Sequence, residues 1–186
     1  MIITIYREEV HLMKTSCRIL SVVLMVMMLM SLSANAFAAD AQYQVTKDFV
    51  NMVKDVNGIT CEVAKTVSDS TGNYELVYVT YDGELSNYVS KFAMLFAEDA
   101  SEVQLYMYNL ITFSEEKLTD VLKAVNDLNH RATGAKLFVD MSDYSVTAEM
   151  YQLLPDSDGA SLATVALGFM ISMTDTLYEQ LQTYAQ

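Results

Sequence analysis

The sequence predicts an α+β fold, a two-layer sandwich in which amphipathic helices cover one face of an antiparallel sheet. Three observations predict it. Apolar residues recur at helical period in three separate segments. Between those segments lie six short runs of alternating, β-branched or aromatic residues. The connections are short and rich in Gly, Asn, Asp and Ser. An antiparallel sheet needs only one covered face, and three helices can supply the cover.

The first helix is expected over Asp40 to Asn57, where Val45, Phe49, Met52, Val53 and Val56 form one stripe and Asn57-Gly58 supplies a left-handed stop. Ile59–Val67 reads as a strand with Ile59, Cys61, Val63 and Val67 on one side. Ser68–Asn73 is a turn cluster, Tyr74–Tyr81 a strand, and Asp82-Gly83 a hairpin signal. Tyr88–Ala97 and Val103–Phe113, separated by Glu98-Asp99-Ala100-Ser101, complete a four-stranded meander. Ser114 offers an N-cap, with Glu115 and Glu116 in the first turn where the helix dipole favours them. Leu118, Val121, Leu122, Val125 and Leu128 form that helix's stripe; His130 and Arg131 end it, and Gly134 stops it. Lys136–Asp140 and Ser145–Leu154 form a second hairpin around Ser142-Asp143. A closing helix runs from Ala160 to Tyr184, capped by Asp156 or Asp158, with Leu162, Val165, Phe169, Met173, Leu177 and Leu181 along it. No repeat or linker interrupts residues 39–186, so a single domain is expected.

The segment before this domain reads as an address. Residues 19–39 carry no charge, Lys14 and Arg18 precede them, and Ala36 and Ala38 stand at −3 and −1 of a cut after Ala38. A basic start, a short apolar middle and an A-x-A end make a secretory signal peptide, so residues 1–38 are expected to be an export signal and the mature chain to be secreted or extracytoplasmic. The alternative is an uncleaved anchor, the one way this chain would touch a membrane. Cys17 precedes the apolar run and so cannot be a lipid-acceptor cysteine. Glu8 and Glu9 sit where such a signal wants positive charge, whereas Met13-Lys14-Thr15 is an ordinary beginning. Glu8-Glu9-Val10 can be encoded by GAG-GAG-GTN, which contains the ribosome-binding sequence GGAGGT just upstream of Met13, so translation is expected to start at Met13, with residues 1–12 untranslated, in a bacterial gene.

Residues 39–186 hold 22 acidic and 8 basic side chains, a net charge of −14. Nucleic-acid binding needs a basic face that displaces counterions, so it is excluded as the default. A domain of about 150 residues buries roughly 68–70% of its unfolded surface and needs no disulfide or metal staple.

Residues 118–155 carry a more specific pattern. A helix ends in Val125-Asn126-Asp127-Leu128-Asn129; the strand Lys136-Leu137-Phe138-Val139-Asp140 follows, then a turn, then a strand carrying Glu149. This resembles the YbjN-domain family, also described as putative sensory transduction regulators, whose fold is that of type III secretion chaperones. The resemblance implies the order α-β-β-β-α-β-β-α, a dimer or a held partner peptide, and no catalytic residues. The family is mostly cytoplasmic, whereas this chain carries an export signal.

Candidate chemistry is sparse. Cys61 is the only cysteine of residues 39–186, which excludes an internal disulfide, and its strand neighbours Ile59 and Val63 suit a small buried hydrophobe. A nucleophile there would need a base, and His130 is the only histidine of residues 39–186; at a helix end it reads as a dipole-complementing residue. Asp156-Ser157-Asp158-Gly159 resembles part of a calcium loop, but the twelfth position is Leu167 where an EF-hand needs Glu. No Gly-rich phosphate loop, C-x-x-C or H-E-x-x-H occurs. No cofactor and no enzymatic activity are therefore expected. The alternative is a cell-envelope cation-binding protein or hydrolase using acids such as Glu98, Asp99, Asp140 and Glu149.

Tyrosine is the unexplained excess, with 11 of 12 in residues 39–186. Tyr74, Tyr78, Tyr81, Tyr88, Tyr106, Tyr108, Tyr144 and Tyr151 fall on or beside strands, and alternation puts Tyr106 and Tyr108 together, opposite Val103, Leu105 and Met107. Outward tyrosines suit strand pairing. They also suit a recognition surface, since rigid aromatics give contact area at low entropy cost. The sequence thus points to an exported binding module that presents a sheet face or edge, with Tyr78, Tyr106 and Tyr108 as candidate contacts, to a protein, a peptide or a second copy of itself.

Overall fold

The computed structural model describes residues 41–68, 70–83, 90–131, 134–155 and 157–186; the export segment, Tyr88 and Asp156 lie outside them. Helix α1 (Gln44–Val53) leads into strands β1 (Ile59–Ser68), β2 (Asn73–Tyr81), β3 (Ser90–Ala97) and β4 (Glu102–Thr112). A 3-10 turn (Glu115–Lys117) precedes helix α2 (Leu118–Arg131), and strands β5 (Ala135–Asp140) and β6 (Ser145–Leu153) follow. Helix α3 (Gly159–Leu181) closes the chain with a final 3-10 turn at Gln182–Tyr184. The six strands form one antiparallel sheet in the order β1-β2-β3-β4-β6-β5. Helix α3 packs on α1, β4 and β6, and α2 packs on β5, giving the α+β architecture that the periodicities predict. The first meander has one strand more than the order implied by the family resemblance.

One core fills the space between the layers. Phe49 and Val53 of α1, Val77, Phe92, Met94, Phe96 and Leu105 of the sheet, and Leu167, Met170 and Ile171 of α3 are all buried in it. Each such side chain contributes about 1.5–3 kcal/mol by leaving water. Phe49 and Phe96 join helix to sheet with ring centroids 5.0 Å apart.

Several local expectations change. Helix α1 stops at Val53, four residues early, because the chain turns through Val56 N–H to Val53 O (3.0 Å) and Ile59 N–H to Val56 O (3.1 Å). Gly58 does adopt the left-handed conformation (φ +83°), and a Cβ there would lie 2.6 Å from Asp82 O. Ser114 caps the 3-10 turn rather than α2, and neither it nor Asp158 at the start of α3 makes a side-chain capping hydrogen bond. In α3 the buried stripe runs through Ala163, Leu167, Met170, Ile171, Thr174, Leu177 and Leu181, with Leu162, Phe169 and Met173 only half-buried. That helix is apolar nearly all round, so its sequence offers more than one stripe. By length and composition Gly159–Tyr184 could cross a membrane, but here it is a core helix. Leu122, placed on the α2 stripe, is exposed.

In β1, Val63 pairs with Val77 but Lys65 pairs with Leu76, leaving Ala64 as a bulge. The extra residue reverses the alternation. Val67 therefore faces outward opposite Tyr74 instead of sharing a side with Cys61 and Val63.

Two polar side chains lock elements together. Glu75 of β2 faces the core, is almost fully buried, and accepts the backbone N–H groups of Gln42 (2.6 Å) and Tyr43 (3.0 Å), where the chain enters α1. Asn129 at the end of α2 brackets Leu137: its Nδ2 donates to Leu137 O (2.8 Å) and its Oδ1 accepts from Leu137 N–H (2.7 Å). One amide thus occupies part of the edge of β5 that β6 does not pair, which blunts an otherwise exposed strand edge.

Candidate functional site

The face of the sheet away from the core is where the tyrosines gather. Strand register places Glu62, Tyr78, Ala93, Tyr106, Glu149 and Lys136 in one row across all six strands. A neighbouring row runs Leu76, Leu95, Gln104, Tyr151, and Glu102 pairs with Leu153 beyond it. On the other side Phe138 faces outward opposite Thr147. Alternation sends one set of residues to the helices and the other to this face. Of the seven large apolar side chains exposed among the described residues, five stand here: Tyr78, Tyr108, Phe138, Tyr151 and Leu153. Tyr78, Tyr108 and Tyr151 are each about half exposed. Ala93, between Tyr78 and Tyr106 in the row, is buried, so the flanking tyrosines leave no hole beneath them.

Tyr106 and Tyr108 stack with ring centroids 5.6 Å apart and planes 6° apart. Asn109 follows with φ +55°, and the register of β4 slips between Met107 and Ile111. This bulge ends the alternation just after the tyrosine pair, so that Leu110 and Ile111 are both buried.

A polar chain ties the face together. Tyr74 Oη lies 2.9 Å from Thr71 Oγ1 and donates to Glu102 Oε1 (3.2 Å). Gln104 Nε2 donates to the same oxygen (2.9 Å), and Tyr151 donates to Glu102 Oε2. The Tyr106 hydroxyl lies 2.9 Å from Gln104 Oε1 and 3.2 Å from Glu149 Oε1. Partial burial, then the Glu149 carboxylate, holds the Tyr106 hydroxyl well above the ordinary tyrosine range. Burial, then Tyr78 and Glu149, pushes Tyr108 the same way. Both hydroxyls stay protonated at physiological pH, and that of Tyr106 can donate to the Glu149 carboxylate. Where Tyr74 and Glu102 meet the β3–β4 turn the face ends in a cleft of about 390 Å³, which Glu98 and Asp99 also line.

The structure brings Tyr78, Tyr106 and Tyr108 to one surface; alternation along β4 predicts this for Tyr106 and Tyr108, and strand register adds Tyr78. Sequence reasoning missed Tyr151, Leu153, Glu102 and Gln104 as members of that surface. The same period-two alternation in β6 and β4 would have found them had it been extended across the strand pairing. Cys61 and His130 are not brought together: Cys61 is on edge strand β1 and His130 ends α2, which packs on the opposite edge strand β5, about 24 Å away at about 4.8 Å per strand. Burial pushes the Cys61 thiol up to about 12. Glu98 and Asp99 lie at the β3–β4 turn, Glu149 mid-strand, and Asp140 at the opposite end of the sheet, where it accepts from Ser142 N–H (2.8 Å). Among the described residues no group of three or more His, Cys, Asp or Glu is placed to hold a metal ion. Searches against protein-family models, curated proteins and solved structures find no match to this chain.

Proposed function

We propose that this chain is an exported, non-enzymatic binding module of the YbjN-like kind, which docks a protein or peptide partner on the open face of its sheet. The observation that carries the reading is the concentration of exposed aromatic and apolar side chains on that face. Soluble domains rarely leave a contiguous apolar patch without a partner for it. Tyrosines fixed by hydrogen bonds to Glu102, Gln104 and Glu149 are already ordered, so a partner meets them at low entropic cost. The export signal read at residues 1–38 puts the encounter outside the cytoplasm.

The test is an array of extended peptides of varied composition, probed with the protein and with its Tyr78→Ser/Tyr108→Ser double variant. Both substitutions are at half-exposed positions outside the core, so the variant stays folded, with unchanged circular dichroism. The reading expects peptides that the parent retains and the variant loses. Equal retention by both proteins would remove the open face as the docking site.

A further inference from the structure

We infer that β1 is a self-pairing edge: two copies of this chain join β1 to β1, antiparallel, about a two-fold axis that passes between Val63 and Ala64. Strand β1 is ten residues long, none of them buried, and it holds no proline. It ends the sheet with no strand beyond it, whereas the opposite edge is blunted by Asn129. The hydrogen bond from Asp82 N–H to Gly58 O (2.7 Å) sets the phase of the β1–β2 ladder. Thr60 and Glu62 therefore bond to β2, while Cys61 and Val63 turn their backbone N–H and C=O groups to the open side. Ile59, Cys61 and Val63 reach the core yet stay half-buried, and one more strand would complete their cover.

A lysine and a bulge usually guard such an edge. Here both favour a second copy. In a regular strand Glu62 and Lys65, three residues apart, point to opposite faces. The bulge at Ala64 brings them to the same one, because Glu62 pairs with Tyr78 and Lys65 with Leu76, both on the open face. In the two-fold register Glu62 of each copy then stands opposite Lys65 of the other, Cys61 opposite Thr66 and Thr60 opposite Val67. Every one of these pairs lies on a single side of the sheet; without the bulge each would set an inward residue against an outward one. Glu62 and Lys65 are the only charges on β1, and neither has a hydrogen-bond or ion-pair partner among the described residues. The edge is thus neutral and self-complementary although residues 39–186 carry a net charge of −14, and that complementarity selects a second copy over an arbitrary strand. The axis stands perpendicular to the sheet, so the two sheets become one and both tyrosine faces look the same way.

Sedimentation velocity of the purified protein over a concentration series reads the association. A dimer is expected. Lys65→Glu and Glu62→Lys, both at exposed positions, each set like charges opposite one another at two symmetric places. Each should weaken the dimer about tenfold or more, with unchanged circular dichroism. Mixed in equal amounts, the two variants bring opposite charges together again, and a mixed dimer as tight as the parent's is expected. A monomer throughout the series would overturn the inference. So would a dimer that neither substitution weakens, a loss that mixing fails to restore, or a dimer dispersed by Tyr108→Ser, which would put self-association on the open face. Peptide docking on that face is decided separately, by the array.

Discussion

Glu75 offers the most quantitative test of how the fold is held. Its carboxylate is about 1% exposed and takes two backbone N–H groups, at 2.6 Å from Gln42 and 3.0 Å from Tyr43. Tyr43 is the N-cap of α1 and makes no side-chain capping bond of its own, so the anion at the positive end of this helix comes from β2. Hydrogen bonds to a charged group contribute about 1.5–3 kcal/mol each when partners are stranded. Gln42 is exposed, so water recovers much of its bond. The cost of Glu75→Ala is then about 2–3 kcal/mol, combining the half-buried bond to Tyr43, a share of the second and the dipole contribution. For a domain of this size that is a fall of about 4–12 °C in Tm. Glu75→Gln keeps one acceptor and should cost about half as much. Urea unfolding followed by far-ultraviolet circular dichroism measures both, with an unchanged m-value. Replacing a buried charge by an apolar residue is stabilising in some proteins. If Glu75→Leu proves more stable than the parent, the carboxylate is not the clasp between α1 and β2.

Asn129→Ala should cost about 1–3 kcal/mol, since it strands both the N–H and the C=O of Leu137, and the Leu137 amide should then exchange with deuterium far faster. Cys61, with its thiol raised to about 12 by burial, should hold a thiolate fraction at pH 8 about a thousandfold below that of a free cysteine; rapid labelling of the folded protein would refute this. The same shift sets an alkaline limit. The folded thiol is raised above its unfolded value of 9.0, so its contribution is fully present below about pH 9 and is lost as pH rises toward about 12, and Cys61→Ala should flatten that part of the stability curve. Gly58→Ala should destabilise, because φ is +83° and the new Cβ would meet the Asp82 carbonyl at 2.6 Å; equal stability would show that the turn can relax.

Much of this could be read from residues alone. Helical stripes and turn residues placed every element within a few positions, and strict alternation predicted that Tyr106 and Tyr108 share a face. What escaped was whatever depends on pairing between distant strands. The bulge at Ala64 has no local marker, yet it turns Val67 outward. The membership of Tyr151 and Glu102 in the tyrosine surface follows only once β4 is known to lie beside β6. Helix α3 misled for the opposite reason, having apolar residues on too many sides to reveal which would be buried. The Asn129 of the family-like segment illustrates the remaining gap. Its place in the sequence was visible, but its work on the edge of β5 required knowing where α2 ends relative to Leu137.

The most direct test of the central idea is residue-resolved chemical-shift mapping of the full-length protein with a peptide that it retains on the array. Signals of Tyr78, Tyr106, Tyr108 and Tyr151 should move together, while inward-facing Val77, Val79 and Leu105 and the α2–α3 surface around Asp120, Arg131 and Gln180 stay still. Perturbations confined to the helical side, with the tyrosines silent, would contradict the account.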